Sequence, residues 1–219
     1  MAVLLEGGCC VADLRDAAPQ VEGELISLRV LEFASDVSRE FRNEERDEVL
    51  FALDECTVFI DGVAHAVEAQ SGIFVPAKKT FHFNHPGDTP LHLVSVQCPP
   101  TPASPPAVVK LSDQRALPTA DRWYRVLIDS EVTQFVGSIP PGRAPDHFHE
   151  YEEVLFILRG EGRMWAGTTS TPIAYGSCIY LPRRQVHCVE NTGTGELRLL
   201  GVFYPAGSPA VRYETANET

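Results

Sequence analysis

Three histidines and one glutamate in the second half of the chain have the residue types and spacing of a metal site. His147 and His149 are two residues apart, so in an extended strand their side chains project to the same face. Glu153 opens the next apolar run, and a turn through residues 150–152 would bring its carboxylate beside the two imidazoles. His187 comes from a later segment that should form a different strand. Because three imidazoles and a carboxylate suit a first-row divalent ion, the sequence predicts a metal centre.

This donor set leaves about two positions open on a six-coordinate ion, enough for water, a bidentate substrate, or substrate plus dioxygen. We therefore predict a reactive site with one divalent metal per chain, iron or manganese being favoured and zinc, nickel and copper remaining alternatives. Arg143, Tyr151 and Tyr180 flank the ligand segments and are predicted to orient a small anionic or enolisable substrate. A structural role is the alternative for the tyrosines, and a plain surface position is the alternative for Arg143.

The segments that carry the predicted ligands belong to an internal repeat. Residues 48–62 (EVLFALDECTVFIDG) match residues 153–167 (EVLFILRGEGRMWAG) at an offset of 105, and residues 72–87 match residues 178–193 at an offset of 106. The alignment places four residues of the first copy opposite the predicted ligands: Arg42, Glu44, Glu48 and Phe81. An arginine cannot ligate a cation, so the first copy is predicted to have lost its metal. We expect Arg42 to pair with Glu44 or Glu48 in place of the ion, or to be one of a cluster of solvated charges.

Short β-rich runs broken by glycine and proline dominate both copies, which predicts an all-β fold of sandwiches or barrels. The run Val154–Leu158 is apolar on both faces, as expected for a strand covered by a barrel interior on one side and by another sheet on the other. A second barrel or a homodimer would supply that cover. Residues 98–119 hold six of the 17 prolines. We therefore divide the chain into a first unit at residues 1–98, a linker at 99–119 and a metal-binding unit with its tail at 120–219.

Two stretches around the predicted ligands resemble the motifs of the cupin family. The first is carried by Gly142, His147, His149, Glu153 and Gly160, and the second by Gly176, Pro182, His187 and Asn191. The chain departs from the family pattern in having four rather than five residues between Gly142 and His147, and in having Arg184 where a glycine is expected. The resemblance implies a bicupin with two tandem jelly-roll (double-stranded β-helix) barrels, of which the C-terminal one holds the metal.

The same resemblance implies a metal-dependent enzyme acting on a small molecule. Our leading interpretation is oxygenase-type, dioxygenase-like chemistry on a small organic acid or enol. The first alternative is a redox-neutral hydrolase, isomerase or decarboxylase, for example one similar to the aminohydrolase bicupins. The second alternative is a cupin that binds a small molecule without turning it over.

Composition limits the classes of partner. The chain has 30 acidic against 18 basic residues and a formal charge of −12, which disfavours nucleic acid and anionic membranes. No stretch approaches the roughly 18 to 20 apolar residues of a membrane span. The six cysteines form no CxxC pair, so reduced thiols and a cytoplasmic location are expected. A small-molecule substrate remains the predicted partner.

Overall fold

The computed structural model describes residues 2–13, 20–34, 36–102, 104–119 and 122–210. Within these ranges the chain forms β-strands and two short 3-10 turns, Glu6–Gly8 and Leu111–Asp113, with no α-helix. The all-β fold class predicted from the sequence is confirmed. In the same ranges no helix is long and apolar enough to cross a membrane. The end of the predicted metal-binding unit, residues 211–219, lies outside the described residues.

The strands are numbered in chain order. Those of the N-terminal half are β1 (Val3–Leu4), β2 (Cys10–Asp13), β3 (Gln20–Glu22), β4 (Ser27–Phe33), β5 (Asp36–Val37), β6 (Phe41–Arg42), β7 (Asp47–Ala52), β8 (Cys56–Ile60), β9 (Val63–Val67), β10 (Ser71–Val75), β11 (Thr80–His85), β12 (Leu91–Cys98) and β13 (Ala107–Lys110). Those of the C-terminal half are β14 (Leu117–Thr119), β15 (Arg122–Asp129), β16 (Thr133–Ile139), β17 (Gly142–Arg143), β18 (Glu152–Arg159), β19 (Glu161–Ala166), β20 (Thr169–Ala174), β21 (Ser177–Leu181), β22 (His187–Asn191) and β23 (Leu197–Tyr204).

Two sheets from the N-terminal half enclose one apolar core and form what we call the first barrel. The larger sheet has the order β13-β10-β7-β12-β4-β3, and the smaller has the order β5-β11-β8-β9 with β6 beside β11. Leu50 and Ile73 from the larger sheet pack in one cluster with Ile60 and Phe83 from the smaller sheet. Residues two apart on a strand share a face, so alternate positions of each strand supply this interior.

The second barrel is built in the same way from the strands of the C-terminal half together with β1 and β2. Its larger sheet has the order β1-β2-β21-β18-β23-β16-β15-β14, and its smaller sheet has the order β17-β22-β19-β20. Leu155 and Leu199 from the larger sheet share a core with Met164 and Val189 from the smaller one. The two copies of the repeat therefore fold into two similar barrels.

Strand pairing differs from the division predicted at residues 98 and 119 in two places. Cys10 pairs with Tyr180 and Asp13 with Ser177, so the first strands of the chain extend the larger sheet of the second barrel. Lys110 pairs with Ser71, so part of the predicted linker is a strand of the first barrel. Both segments cover sheet edges whose backbone N–H and C=O groups would otherwise be unpaired. Edge pairing of this kind leaves no local sequence pattern, which is why the division by composition missed it.

The larger sheets of the two barrels pack face to face. Val154 and Phe156 of β18 share a buried cluster with Val49 and Phe51 of β7, whereas Leu155 belongs to the interior of the second barrel. The prediction that the run Val154–Leu158 is covered on both faces is confirmed. The cover comes from the first barrel of the same chain, so this face does not require a second copy.

Candidate metal centre

The structure brings the four predicted ligands together inside the second barrel. Ligand nitrogens of His147, His149 and His187 all lie within 4.8 Å of one another. Oε2 of Glu153 lies 3.7 Å from Nε2 of His149 and 3.7 Å from Nε2 of His187. The four side chains come from the segment before β18, the start of β18 and the start of β22.

Backbone hydrogen bonds fix the positions of the three histidines. His147 and His187 form an isolated antiparallel bridge, with N–O distances of 3.1 and 2.8 Å between their main chains. The backbone N–H of Arg184 donates to the carbonyl of His149 at 2.7 Å. Arg184, which stands where the cupin motif has glycine, adopts a φ of 61°, in the left-handed region that favours glycine. The departure from the motif therefore changes the residue at this turn and keeps its backbone shape.

Two of the imidazoles are oriented by carbonyl groups that lie two residues earlier in the chain. Nδ1 of His147 lies 3.0 Å from the oxygen of Pro145, and Nδ1 of His187 lies 2.7 Å from the oxygen of Gln185. A carbonyl oxygen only accepts hydrogen bonds, so in the neutral rings Nδ1 carries the proton and Nε2 presents its lone pair. The third ring, His149, stacks on Tyr151 with centroids 4.8 Å apart and an interplanar angle of 12°.

Burial shifts the charge states of the site. It raises the pKa of the Glu153 carboxyl to about 8. Burial, reinforced by the neighbouring His147 and His149, lowers the pKa of His187 well below its ordinary value. A neutral His187 is the form that ligates a metal, and a bound cation would reverse the shift of Glu153 by favouring its ionised form. The donor set, the oriented nitrogens and the buried carboxylate therefore fit a divalent metal ion.

A small cavity of about 90 Å³ opens onto the four side chains. Much of its lining is apolar: Phe135, Ile139, Ala144, Leu155, Val189, Leu199 and Phe203. Thr119, Arg122, Tyr124 and Ser138 also line it and bring the polar groups nearest to the site. Sequence reasoning missed these four because they carry no motif and lie on β14, β15 and β16, far along the chain from the ligands.

The three residues predicted to orient a substrate do not line this cavity. Arg143 donates to Oδ1 of Asp146 at 3.0 Å and to Sγ of Cys188 at 3.2 Å, on the face of β22 opposite to His187. Tyr180 packs in the buried cluster between the barrels. Tyr151 lies behind His149 and donates its hydroxyl to the carbonyl of Ser208 at 3.0 Å. Strand alternation turns Arg143 and Tyr180 away from the interior, so closeness in sequence to a ligand did not give closeness in space.

The first barrel shows which residues truly correspond to the ligands. Phe41 pairs with Phe81 there, as His147 pairs with His187 in the second barrel. The backbone N–H of Lys78 donates to the carbonyl of Asn43 at 2.6 Å, the counterpart of the Arg184–His149 bond. The structural counterparts of the two histidines are therefore Phe41 and Asn43.

The alignment expectation that placed Arg42 and Glu44 opposite His147 and His149 is corrected by one residue. The extra residue lies in the turn between Asn43 and Glu48, which is one longer than the turn between His149 and Glu153. Arg42 does pair with Glu44, as predicted, but on the surface, with side chains 49 % and 61 % exposed. His82 stacks on Phe59, with centroids 4.7 Å apart, so it takes no part in the interior of the barrel.

Comparison with known proteins gives a family for the region around the site. The model of the cupin domain matches residues 135–203, which contain all four candidate ligands. Auxin-binding protein 1 of Arabidopsis thaliana is 31 % identical over 33 % of this chain and 42 % of its own length. The oxalate-binding protein of Thermotoga maritima is 36 % identical over 30 % of this chain and 55 % of its own length. The chain thus spans about half the length of these two curated relatives.

Solved structures share the fold over nearly the whole chain. A putative glyoxylate-induced protein from Pseudomonas aeruginosa superimposes with a TM-score of 0.78, at 16 % identity, over 95 % of this chain and 93 % of its own. Bacillus subtilis oxalate decarboxylase, in a study of its Mn(II) centres, gives a TM-score of 0.71, at 13 % identity, over 95 % of this chain and 76 % of its own. The domain match thus gives a cupin family for residues 135–203, and the solved structures show that the fold is shared over nearly the whole chain.

Proposed function

We propose that the chain is a bicupin whose second barrel binds one divalent metal, manganese or iron, through His147, His149, Glu153 and His187, and that it acts as an enzyme on a small organic acid. The observation that carries this proposal is the convergence of the four donor groups at an otherwise largely apolar cavity. The first barrel, with Phe41, Asn43 and Phe81 in place of the histidines, packs against the metal barrel as a copy without these donors.

The site favours a small, anionic substrate. A divalent ion held by one carboxylate keeps a net positive charge and attracts an anionic oxygen donor. The cavity of about 90 Å³ has room for a molecule of only a few heavy atoms. Arg122 lines the same cavity and offers a guanidinium to a second anionic group of the substrate. The names of the oxalate-binding relative and of the oxalate decarboxylase neighbour support a small acid as the substrate class.

The polar groups around the cavity favour oxygenase-type chemistry over a redox-neutral reaction. Apart from the four ligands, Arg122 and Tyr124 are the titratable side chains among the described residues that line it. A hydrolase or isomerase commonly uses a His, Glu, Asp or Lys side chain as its general base, and the described lining offers none of these beyond the four candidate ligands. A bound iron or manganese ion would supply Lewis acidity and one-electron chemistry with dioxygen. Phe135 and Phe203 would keep water from the reacting centre.

The first experiment measures metal and oxygen together. Protein purified without added metal is analysed for its elements, reconstituted with Mn²⁺ or Fe²⁺, and assayed for oxygen uptake with a panel of small organic acids that includes oxalate. About one metal per chain and substrate-dependent oxygen uptake are the expected results. No metal after reconstitution would overturn the proposal. Turnover that releases carbon dioxide without oxygen uptake would replace the oxygenase with a decarboxylase.

A non-catalytic binding protein is the second candidate, because both named curated relatives are described as binding proteins. Isothermal titration of the metal-loaded protein with oxalate separates this candidate from an enzyme. Saturable heat without any product after prolonged incubation would favour the binding protein.

A further inference from the structure

A cleft between the two barrels collects positive charge in a chain that is strongly acidic. Its walls include Lys110 and Gln70 from the first barrel and Trp123, Arg125 and Arg198 from the second, and we call these five residues the seam cleft. Its volume is about 300 Å³. With a formal charge of −12 over the chain, three cationic side chains around one cleft run against the average composition.

Trp123 organises the two guanidinium groups. The Cζ atoms of Arg125 and Arg198 each lie 5.4 Å from the centre of its ring, within the range of cation–π attraction. Arg198 also pairs with Glu196 at 2.8 Å, and Lys110 pairs with Glu68. Arg198 and Lys110 therefore each have a carboxylate partner, and Asp113 adds a weaker attraction on Lys110.

The unbalanced cation is Arg125. Nη1 of Arg125 donates to the carbonyl of Leu111 at 3.1 Å, which anchors the side chain across the seam between the barrels. Nε of Arg125 is buried, so an anion in the cleft would meet the part of the guanidinium that lines the cleft wall. A guanidinium binds carboxylate and phosphate groups through charge-assisted hydrogen bonds.

We propose that the seam cleft is a binding site for a small oxyanion, a phosphate or carboxylate group, held by Arg125 with Arg198 and Lys110 around it. This site is separate from the metal centre. On β15, Arg122 and Tyr124 line the metal cavity and Arg125 lines the seam cleft, whereas Trp123 lies at the edge of both. A bound oxyanion would join residues of both barrels and stabilise their packing.

Fluorescence offers a direct test, since the chain has two tryptophans and one of them is at the site. In a Trp165→Phe protein the remaining emission comes from Trp123. Inorganic phosphate and malonate are titrated at constant ionic strength, with sodium chloride as the reference. We expect a saturable change in emission and a matching rise in Tm with at least one oxyanion. The anion that acts at the lower concentration shows whether the cleft prefers a phosphate or a carboxylate group.

Matched charge changes separate a specific site from general salt effects. Arg125→Gln should weaken binding at least about tenfold, the loss expected for a charge-assisted bidentate contact. Arg198→Gln should weaken it several-fold, whereas Arg39→Gln, an exposed site on the first barrel, should leave it unchanged. If Arg125→Gln does not fold, the test rests on the comparison of oxyanion binding in Arg198→Gln and Arg39→Gln. A linear, chloride-like response in the Trp165→Phe protein, or equal titrations in all three variants, would overturn the proposal. Binding should persist in His149→Ala, so failure of the metal centre would not be mistaken for failure of the seam cleft.

Discussion

The two barrels place a buried glutamate at corresponding points and neutralise it in different ways. In the first barrel Glu48 accepts hydrogen bonds from Nη2 of Arg29 at 3.1 Å, Nε2 of Gln97 at 2.9 Å, and the hydroxyl of Ser95. In the second barrel Glu153 faces Nε2 of two histidines, and its pKa is raised by burial. One carboxylate has a counter-charge within the protein, and the other is kept neutral by protonation unless a cation binds.

Strand register shows how this difference is encoded. Glu48 pairs with Gln97 where Glu153 pairs with Phe203. Arg29 pairs with Ser95 where Phe135 pairs with Gly201. The arginine, serine and glutamine that satisfy Glu48 are thus replaced by two phenylalanines and a glycine.

Gly201 is required by this exchange. A Cβ atom at this position would lie 2.2 Å from Cε1 of Phe135, so even an alanine would collide with the ring. The glycine lets Phe135 lie against the strand and line the cavity above the candidate ligands. The comparison teaches that the second barrel keeps the carboxylate, removes its protein partners and opens an apolar space in their place.

Loss of a histidine ligand should have the largest effect. His149→Ala should remove bound metal almost completely, because losing a direct ligand costs more than the roughly 10–100-fold that loss of a supporting residue costs. His82→Ala is the matched control, since His82 stacks on Phe59 outside the interior of the first barrel. Metal content per chain and the circular dichroism of both variants are measured. Full metal occupancy in His149→Ala, or half occupancy in His82→Ala, would contradict the assignment of the site to the second barrel.

The raised pKa of Glu153 predicts a pH dependence in the metal-free protein. Between its ordinary value of 4.5 and about 8, the folded state holds the Glu153 proton more tightly than the unfolded state. The contribution of Glu153 to stability is therefore present at low pH and is lost as the pH rises through this window. In Glu153→Gln this loss should be absent, a difference on the order of 3 kcal/mol across the window.

Calorimetric Tm values from pH 5 to 8 test this expectation. The difference between the two pH profiles reports the loss of the Glu153 titration together with its effect on His187, whose Nε2 lies 3.7 Å away. Saturating Mn²⁺ should remove the fall in the unsubstituted protein, because a bound cation keeps the carboxylate ionised. Parallel profiles for the two metal-free proteins would show that the carboxyl of Glu153 is solvated.

Local patterns predicted the four side chains that converge in the second barrel, and long-range pairing limited the rest. His147 and His149 could be assigned to one face because strand alternation acts over two residues. The strand Val154–Leu158 could be recognised as covered on both faces because its successive residues, which alternate between the two faces, are all apolar. Arg143 and Tyr180 were assigned by their nearness in sequence to ligands, and alternation places them outside the cavity.

The one-residue correction in the first barrel has a similar origin. The two copies match well from Glu48 onward, but the preceding turn differs in length by one residue. Only the pairing of Phe41 with Phe81 reveals the register. The attachment of β2 to β21 was likewise invisible, because neither strand's own sequence indicates a pairing with residues 164 to 170 positions away.

Removal of the arginine that neutralises Glu48 should have an intermediate effect on stability. Arg29→Met leaves a carboxylate that is 3 % exposed without its cation, whereas Arg29 itself is 40 % exposed. We expect a loss of about 2 kcal/mol, below the 3–5 kcal/mol of a fully buried pair because solvent screens the guanidinium. Arg29→Met with Glu48→Gln should recover part of this loss, because the neutral amide can still bond with Ser95 and Gln97.

Arg39→Met, at an exposed arginine of the same barrel, is the control. Urea unfolding of the three variants gives the comparison. Equal stability of Arg29→Met and Arg39→Met would show that Glu48 does not depend on its arginine, and the contrast between the two barrels would then lose its electrostatic basis.

A substitution beside the N-terminal strands should have the smallest effect. It tests whether these strands help to position the candidate ligand His187. Gly7, at φ 64°, lies against the loop before β22, and a Cβ there would come within 1.3 Å of Oε1 of Gln185. The flexible amide of Gln185 would turn aside, which would break its 2.9 Å hydrogen bond to the carbonyl of Val186, the residue before His187. Gly7→Ala should therefore weaken metal binding by about two- to threefold, beyond a backbone cost of roughly 1 kcal/mol. Gly62→Ala is the control in the first barrel, because Gly62 has a φ of 79° and a Cβ at that position would meet no atom within 4 Å. Both variants should lose similar stability by Tm, and only Gly7→Ala should lose metal affinity. Equal metal affinity in the two would mean that the N-terminal strands close the edge of the second barrel without positioning His187.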